Sequence, residues 1–293
     1  MFISSRFLSL LMLLSLLKFQ PYPCRPNILV NGMALMTSSS NTMTTTNNND
    51  NPGPLELYYF GVFARVASLF ALEHSGLDYV YKSPGNNWKE LKPTLAWKCL
   101  PCLKNLPAGH TTAFAGGEIG QETAILYYIA AACPSTKLKG DSFADELISQ
   151  QLLGEGEDIY NHLANIKGNL VSHEQALTFW SKDAQDPNSH NKRFGIYVIL
   201  GLLENFYRNC NGGHSGGGGT GKFTESGCTV GECKLFSSLH CVFMIDPSVF
   251  DDPQFTGVNT FYQRFKALPE TQTILNDRKN VFQQYFLKPE EGL

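Results

Sequence analysis

From Pro54 onward, apolar positions follow strand spacing in some segments and helix spacing in others. Short β-prone runs predict strands, and residues 106–120 have the glycine-rich composition of a hairpin turn. The interleaved order predicts a small sheet covered by helices. The predicted strands are 55–60, 79–81, 102–105 and 118–120, the predicted helices are 65–76 and 121–132, and 88–91 fall in a polar connection.

The strand pattern ends after Cys133 and Pro134, and helical patterns follow. We therefore predict an α/β domain at 54–134 and an all-helical domain at 141–293. The helical patterns cover 142–168, 174–208, 229–245 and 258–286.

A glycine-rich run at 209–222 interrupts the helical half. It contains the spacing G-x-x-x-x-G-K, which is typical of a phosphate-binding loop when a strand precedes it and Ser or Thr follows the lysine. Here the flanks are helical and Phe223 follows Lys222. We therefore interpret the run as a surface insertion.

Residues 1–53 are predicted to be a targeting or disordered segment. An apolar run at 7–17, too short to span a bilayer, precedes a stretch rich in Ser, Thr and Asn. Two interpretations stay open. In one, the segment directs the chain to the secretory pathway or an organelle. In the other, translation starts at Met33, Met36 or Met43 and the protein is cytoplasmic. In both, we predict no membrane span in the folded part.

The charged residues are mixed along the chain, and the net charge is −3. No basic block is present, so we predict no nucleic-acid partner. The eight cysteines follow no disulfide-framework spacing, and we interpret most as free thiols. Cys99 and Cys102 form a C-x-x-C pair, but it precedes the third strand instead of the first helix, which disfavours a thioredoxin-type redox pair. No second ligand pair completes a zinc site, so we predict no metal.

Four segments are the basis of a family resemblance: YFGVFAR at 59–65, WKELKPTLAWKCLPCL at 88–103, GQETAILYYIA at 120–130 and TVGECKLF at 229–236. Together they resemble the glutathione transferase superfamily, most closely its sigma class, over about 55–286. The resemblance implies a thioredoxin-like α/β domain followed by an all-α domain. It also implies a homodimer with glutathione as substrate.

The first of these segments carries the predicted chemistry. A free cysteinyl thiol has a pKa of about 8.5, and a hydroxyl that donates a hydrogen bond to the sulfur favours the thiolate. The resemblance implies that a tyrosine at the end of the first strand supplies this hydroxyl. Tyr59 matches that position, with Arg65 six residues on. Tyr58 points to the opposite face of the strand, so a packing role is expected for it.

Other matching positions are expected to hold the tripeptide. The resemblance implies that Trp88 and Lys92 bind its glycine end. Leu100 is expected to offer its backbone to the cysteinyl part, before a cis bond to Pro101. Cys99 departs from the family, which usually has Lys or Gln there.

The helix that opens at Gln121 is expected to receive the γ-glutamyl carboxylate, because a helix N-terminus presents unpaired N–H groups. Glu122 departs from the family pattern, in which Ser usually follows the glutamine. The backbone N–H of Glu122 can still bind, whereas its side chain can meet only the γ-glutamyl amine. This departure puts glutathione affinity in question.

The helical half adds two predictions and one expectation. Thr229 and Glu232 are predicted to form a capping box, a structural feature. The resemblance implies that Asp158 reaches across the dimer to the γ-glutamyl amine, and a solvated acidic helix face is the open alternative. Phe63 and the 142–168 helix are expected to line the electrophile pocket.

Conjugation of the glutathione thiolate to hydrophobic electrophiles, a detoxification reaction, is the expected function. Glutathione-dependent isomerisation, as in sigma-class prostaglandin synthases, is an alternative that uses the same site. A non-catalytic glutathione-fold binding module is a second alternative, and a thiol-disulfide oxidoreductase is the most distant one.

Overall fold

The computed structural model describes residues 53–60, 65–107, 117–167, 180–182, 195–212 and 219–277, with backbone only at 164–167. Within these ranges a sheet contains four strands, β1 Leu55–Tyr58, β2 Tyr79–Lys82, β3 Cys102–Lys104 and β4 Ile119–Gly120. Their order in the sheet is β2-β1-β3-β4. β1 pairs parallel with β2 and antiparallel with β3, which pairs antiparallel with β4.

Helices cover the sheet. They are α1 Ala67–Ser75, α2 Trp88–Leu91, α3 Glu122–Ala132, α4 Phe143–Lys167, α5 Ile196–Cys210, α6 Val230–Ile245, α7 Thr256–Ala267 and α8 Pro269–Asp277. α1 follows β1, α2 precedes β3, and α3 follows β4, so the predicted α/β order is confirmed. From α4 onward the described elements are helical, as predicted.

Helix α6 lies at the centre of the core, against both α4 and α1. The α4–α6 approach is close, because a Cβ atom at Gly156 would lie 2.8 Å from the Cγ of Lys234. The predicted capping box is present at the start of α6. The Thr229 side chain accepts from the Glu232 N–H (3.4 Å), and Glu232 Oε2 accepts from the Thr229 N–H (3.0 Å). This buried box fixes where the central helix begins.

Two predicted elements differ in the structure. Residues 88–91 form helix α2 instead of an irregular connection. The helical pattern at 258–286 is broken at Leu268, which is extended (φ −61°, ψ 137°) before Pro269. Proline disfavours a helical conformation at the residue before it, which explains the break. Part of the predicted 174–208 helix and residues 278–286 lie outside the described residues.

No helix in the described ranges is both long and apolar enough to cross a membrane.

Candidate functional site

Tyr59 lies directly after β1, and its N–H donates to the carbonyl of Lys82 (3.2 Å). The side chain is 5% exposed. Its hydroxyl oxygen accepts a hydrogen bond from the backbone N–H of Arg65 (2.9 Å). Because a phenol has one hydrogen to donate and no acceptor for it is recorded among the described residues, that hydrogen is available to a ligand.

Burial raises the pKa of Tyr59 above its ordinary value, and the Arg65 N–H opposes part of that rise. The nearby Tyr160 and Glu122 raise the pKa further. The phenol therefore stays protonated at neutral pH, and it can act as a hydrogen-bond donor but not as a general base.

Tyr81 of β2 supports the backbone that carries Tyr59. Its hydroxyl lies within hydrogen-bond distance of the carbonyls of Tyr59 (3.0 Å) and Phe60 (2.7 Å). The Tyr58 hydroxyl instead donates to Glu56 of the same strand (2.9 Å). The end of β1 is therefore held from the β2 side.

Trp88 and Lys92 lie together on and just after α2. The Trp88 ring packs edge-to-face on Phe60, with centroids 5.1 Å apart. The Lys92 ammonium lies 5.9 Å from the centre of the Trp88 ring. Lys92 is exposed and Trp88 is partly exposed, so this pair offers a cation and an aromatic face near the end of β1.

The loop before β3 contains the Leu100-Pro101 peptide bond, which is cis, as expected. Glu118 holds this loop to β4, accepting from the Ala96 N–H (2.5 Å). Within the described part of the chain, neither the N–H nor the C=O of Leu100 pairs with another backbone group. Both groups are thus available to an extended peptide ligand.

The N-terminus of α3 has unpaired donors. Its first intrahelical bond runs from the Ile125 N–H to the Gln121 carbonyl (3.1 Å). The N–H groups before Ile125 therefore have no helical partner, and they carry the positive end of the helix dipole. Gln121 precedes the helix with φ 70°, a conformation that is uncommon for residues other than glycine. This end of α3 can bind a carboxylate.

The Glu122 side chain points into the core, where it is 2% exposed. Its Oε2 lies 2.5 Å from the ammonium of Lys234, which is 3% exposed, and 3.7 Å from the Arg65 guanidinium. Glu157 completes the cluster, accepting from Arg65 (2.5 and 2.9 Å) and from Lys234 (2.9 Å). We call these four residues the buried charge cluster; the side chains of Glu122 and Lys234 are enclosed, and those of Arg65 and Glu157 are 27% and 32% exposed. Each comes from a different segment of the chain, and their formal charges sum to zero.

Electrostatics within the buried charge cluster favour the charged forms of Lys234 and Glu157. Burial opposes the charge on Lys234, but the two carboxylates outweigh it and raise the pKa of Lys234. Burial also disfavours the ionised form of Glu157. The hydrogen bonds and charges of Arg65 and Lys234 outweigh burial and lower the pKa of Glu157. Tyr160 lies beside both cations, 4.3 Å from the Arg65 guanidinium and 5.2 Å from the Lys234 ammonium, measured to the ring centre.

Asp158 lies on the exposed side of α4, and the carboxylate that reaches Arg65 is that of its neighbour Glu157. Phe63 lies outside the described residues. Two cavities formed by described residues have linings that do not include Tyr59. One, of about 190 Å³, lies between α4 and α5. The other, of about 330 Å³, lies between α3 and α4.

The C-x-x-C pair is reduced in the structure, as are all the described cysteines. Burial raises the pKa of Cys102 to about 12, which leaves almost no thiolate at neutral pH. No cluster of three or more potential metal ligands occurs among the described residues.

Sequence analysis missed three members of this site: Glu157, Tyr160 and Lys234. Lys234 had a recognisable signal, because it stands in the apolar helix run between Cys233 and Leu235. A lysine in such a run requires a buried partner. Nothing local identified that partner as Glu122, which is 112 residues away in sequence.

No family profile and no curated protein matches this sequence. Solved structures do resemble the fold. The Pi-class glutathione S-transferase of Onchocerca volvulus aligns with a TM-score of 0.58 at 16% identity, covering 77% of this chain and 94% of that one. The sigma-class enzyme of Fasciola hepatica gives 0.54 at 18%, covering 78% and 98%. The prostaglandin synthase D of Nilaparvata lugens gives 0.52 at 14%, covering 77% and 98%. The chain has the glutathione transferase fold, with an α/β thioredoxin-like part followed by helices.

Proposed function

We propose that this protein is a glutathione transferase that conjugates the glutathione thiolate to hydrophobic electrophiles, in the manner of a sigma-class detoxification enzyme. The observation that carries the proposal is the Tyr59 hydroxyl. Its oxygen accepts from the Arg65 N–H, so its hydrogen can point to a ligand. A hydrogen bond from a hydroxyl to the sulfur stabilises the thiolate relative to the thiol and thereby activates the nucleophile.

The surroundings of Tyr59 offer what the other parts of glutathione need. The unpaired backbone of Leu100 suits the cysteinyl peptide group, and the unpaired N–H groups at the start of α3 suit the γ-glutamyl carboxylate. Trp88 and Lys92 suit the glycine carboxylate. Gln121, Pro101 and Arg65 keep positioning roles, and Asp158 remains the candidate for a contact across a dimer. No metal is needed for this reaction.

A homodimer is part of the proposal, supported by an exposed apolar stripe. Phe143 (74% exposed) and Leu147 (47% exposed) are one helical turn apart on α4. Tyr127 of α3 (62% exposed) lines the same cavity as Glu146 and Gln150, which belong to that face of α4. Large exposed apolar side chains grouped in this way are typical of protein interfaces.

Glutathione-dependent isomerisation is the second candidate, favoured by the likeness to a prostaglandin synthase. In that reaction the thiolate adds to the substrate and leaves again, so the same Tyr59 donor serves both. Product analysis separates the two, because a transferase consumes glutathione and an isomerase returns it.

The proposal is tested by assaying chloro-dinitrobenzene conjugation with the purified chain, Tyr59→Phe and the matched control Tyr58→Phe. A hydrogen bond to a charged group is worth roughly 1.5–3 kcal/mol, so Tyr59→Phe is expected to lose about ten- to a hundredfold in kcat/KM. Tyr58→Phe should keep its activity, because the Tyr58 hydroxyl donates to Glu56 of the same strand and has no part in the proposed reaction.

Equal activity in Tyr59→Phe and the unmodified chain would remove Tyr59 from the proposed role. Failure of the unmodified chain to bind a glutathione resin would favour a binding module for another ligand over a transferase.

A further inference from the structure

The side chains of the buried pair Glu122–Lys234 have no role in the reaction as proposed above, yet they lie beside the reacting position. Glu122 is the first residue of α3, the helix proposed to receive the γ-glutamyl carboxylate. Its carboxylate is almost fully enclosed, and one of its oxygens, Oε1, has no hydrogen-bond partner. A buried carboxylate at the edge of an anion-binding site opposes the binding and ionisation of any anionic ligand.

Lys234 offsets this charge at close range. Its ammonium reaches Glu122 (2.5 Å) from the central helix α6 and also reaches Glu157 (2.9 Å). In a buried environment, an ammonium this close to a carboxylate cancels most of the electric field that the carboxylate would exert on more distant atoms. Without Lys234, the cluster would retain two carboxylates against the single charge of Arg65.

The electric field of the buried charge cluster acts at Tyr59, because Arg65 belongs to the cluster and also binds the Tyr59 hydroxyl. The backbone N–H of Arg65 binds the Tyr59 hydroxyl (2.9 Å), and its guanidinium lies 3.7 Å from Glu122. The negative charge of Glu122 also raises the pKa of Tyr59, after burial and Tyr160. An anion that forms on a sulfur bound to Tyr59 would experience the same charge. The titratable or charged groups that face the pair are Tyr59, Arg65, Glu157, Tyr160 and Cys241.

We propose that Lys234 is a positioning residue for the thiolate: it neutralises Glu122, so that a sulfur anion can form at Tyr59 although a carboxylate is buried at the start of α3. This inference rests on the proposed function. It assigns Lys234 an electrostatic role in the reaction beyond its part in joining α6 to α3. Lys234 thus makes a buried carboxylate tolerable at position 122.

The test measures the apparent pKa of the glutathione thiol bound to the full chain, from thiolate absorption titrated against pH, with thermal unfolding recorded in parallel. Three variants are compared with the unmodified chain. Lys234→Met leaves an excess negative charge and should raise the thiol pKa by about one unit or more. Glu122→Gln leaves an excess positive charge and should lower it. The double variant restores neutrality and should return the value close to that of the unmodified chain.

The opposite shifts of the thiol pKa expected in Lys234→Met and Glu122→Gln distinguish an electrostatic role from a structural one. If Lys234→Met and Glu122→Gln change only the melting temperature while the thiol pKa stays constant, the inference is wrong and the pair is structural. Glu122→Gln keeps Lys234 paired with Glu157, so it remains informative even if Lys234→Met does not fold. If the unmodified chain binds glutathione with a lowered thiol pKa, the proposed function stands whatever the variants do. If it does not bind glutathione, both proposals are overturned.

Discussion

The backbone N–H of Arg65 donates to the hydroxyl oxygen of Tyr59 across 2.9 Å. This single bond orients the phenol, since it occupies the oxygen and directs the hydrogen elsewhere. It also connects Tyr59 to the buried charge cluster, because the same Arg65 pairs with Glu157. We therefore expect the proposed activity to depend on the backbone of the segment after β1 and on side chains from α3, α4 and α6.

Tyr81→Phe tests whether the backbone around Tyr59 must be held in place. The Tyr81 hydroxyl lies within reach of the carbonyls of Tyr59 and Phe60, and its loss should cost roughly 1 kcal/mol of unfolding free energy. We expect kcat to fall several-fold with little change in KM for glutathione, because the phenol becomes less well oriented. Steady-state kinetics and urea unfolding check this, and an unchanged kcat would show that Tyr59 does not need this support.

Lys92→Ala tests the proposed contact to the glycine carboxylate. Lys92 is exposed, so screening by solvent limits its effect. KM for glutathione should rise about two- to fivefold with kcat unchanged, and less at high salt. Lys89→Ala, an exposed lysine on α2, is the matched control. If both variants change KM equally, the effect comes from net charge and not from a specific contact.

Glu232→Ala tests the capping box at the start of α6. The buried Glu232 carboxylate accepts from the Thr229 N–H, the Phe223 N–H and the Thr224 hydroxyl. Its removal leaves these donors unpaired, and the unfolding free energy should fall by about 2–4 kcal/mol. Glu225→Ala, at an exposed glutamate in the preceding loop, should change stability little. Equal losses in the two variants would contradict the account.

The buried side chain of His74 should make the free energy of unfolding depend on pH. Burial lowers the pKa of His74 to about 4, from an ordinary value of about 6.5 in the unfolded chain. Between these values the unfolded chain binds a proton that the folded chain does not, so stability falls as pH decreases from about 6.5 to about 4. The unmodified chain should lose about 2 kcal/mol through this group between pH 7 and pH 5.

His74→Gln removes the titrating group, and Gln can still bond the Thr271 hydroxyl that His74 contacts (3.1 Å). Urea unfolding at pH 7 and pH 5 should therefore show a smaller loss in the variant. The same loss in both proteins would assign the pH dependence to other groups.

Local sequence signals predicted part of this molecule well. The capping box of Thr229 and Glu232 depends on residues three apart, and the structure forms it. The β-prone runs and helical patterns located every described strand and most helices. Leu268 was missed because the helical apolar pattern continues across it, although Pro269 disfavours a helix there.

The charged part of the site could not be predicted, because its contacts are not local. Glu122 and Lys234 are 112 residues apart, and no spacing rule connects them. The contact between Glu157 and Arg65 depends on the rotation of α4, since successive helix residues point about 100° apart and the sequence does not show which of them faces Arg65. Asp158 stays a prediction for a contact across a dimer.

The most direct test of the central claim is the ionisation of glutathione in the binary complex. Thiolate absorption is titrated against pH for the unmodified chain and for Tyr59→Phe, each saturated with glutathione. The account predicts an apparent thiol pKa about one to two units below the free value of about 8.5 in the unmodified chain, and a return close to that value in Tyr59→Phe. Superimposable titration curves for the two proteins would contradict it.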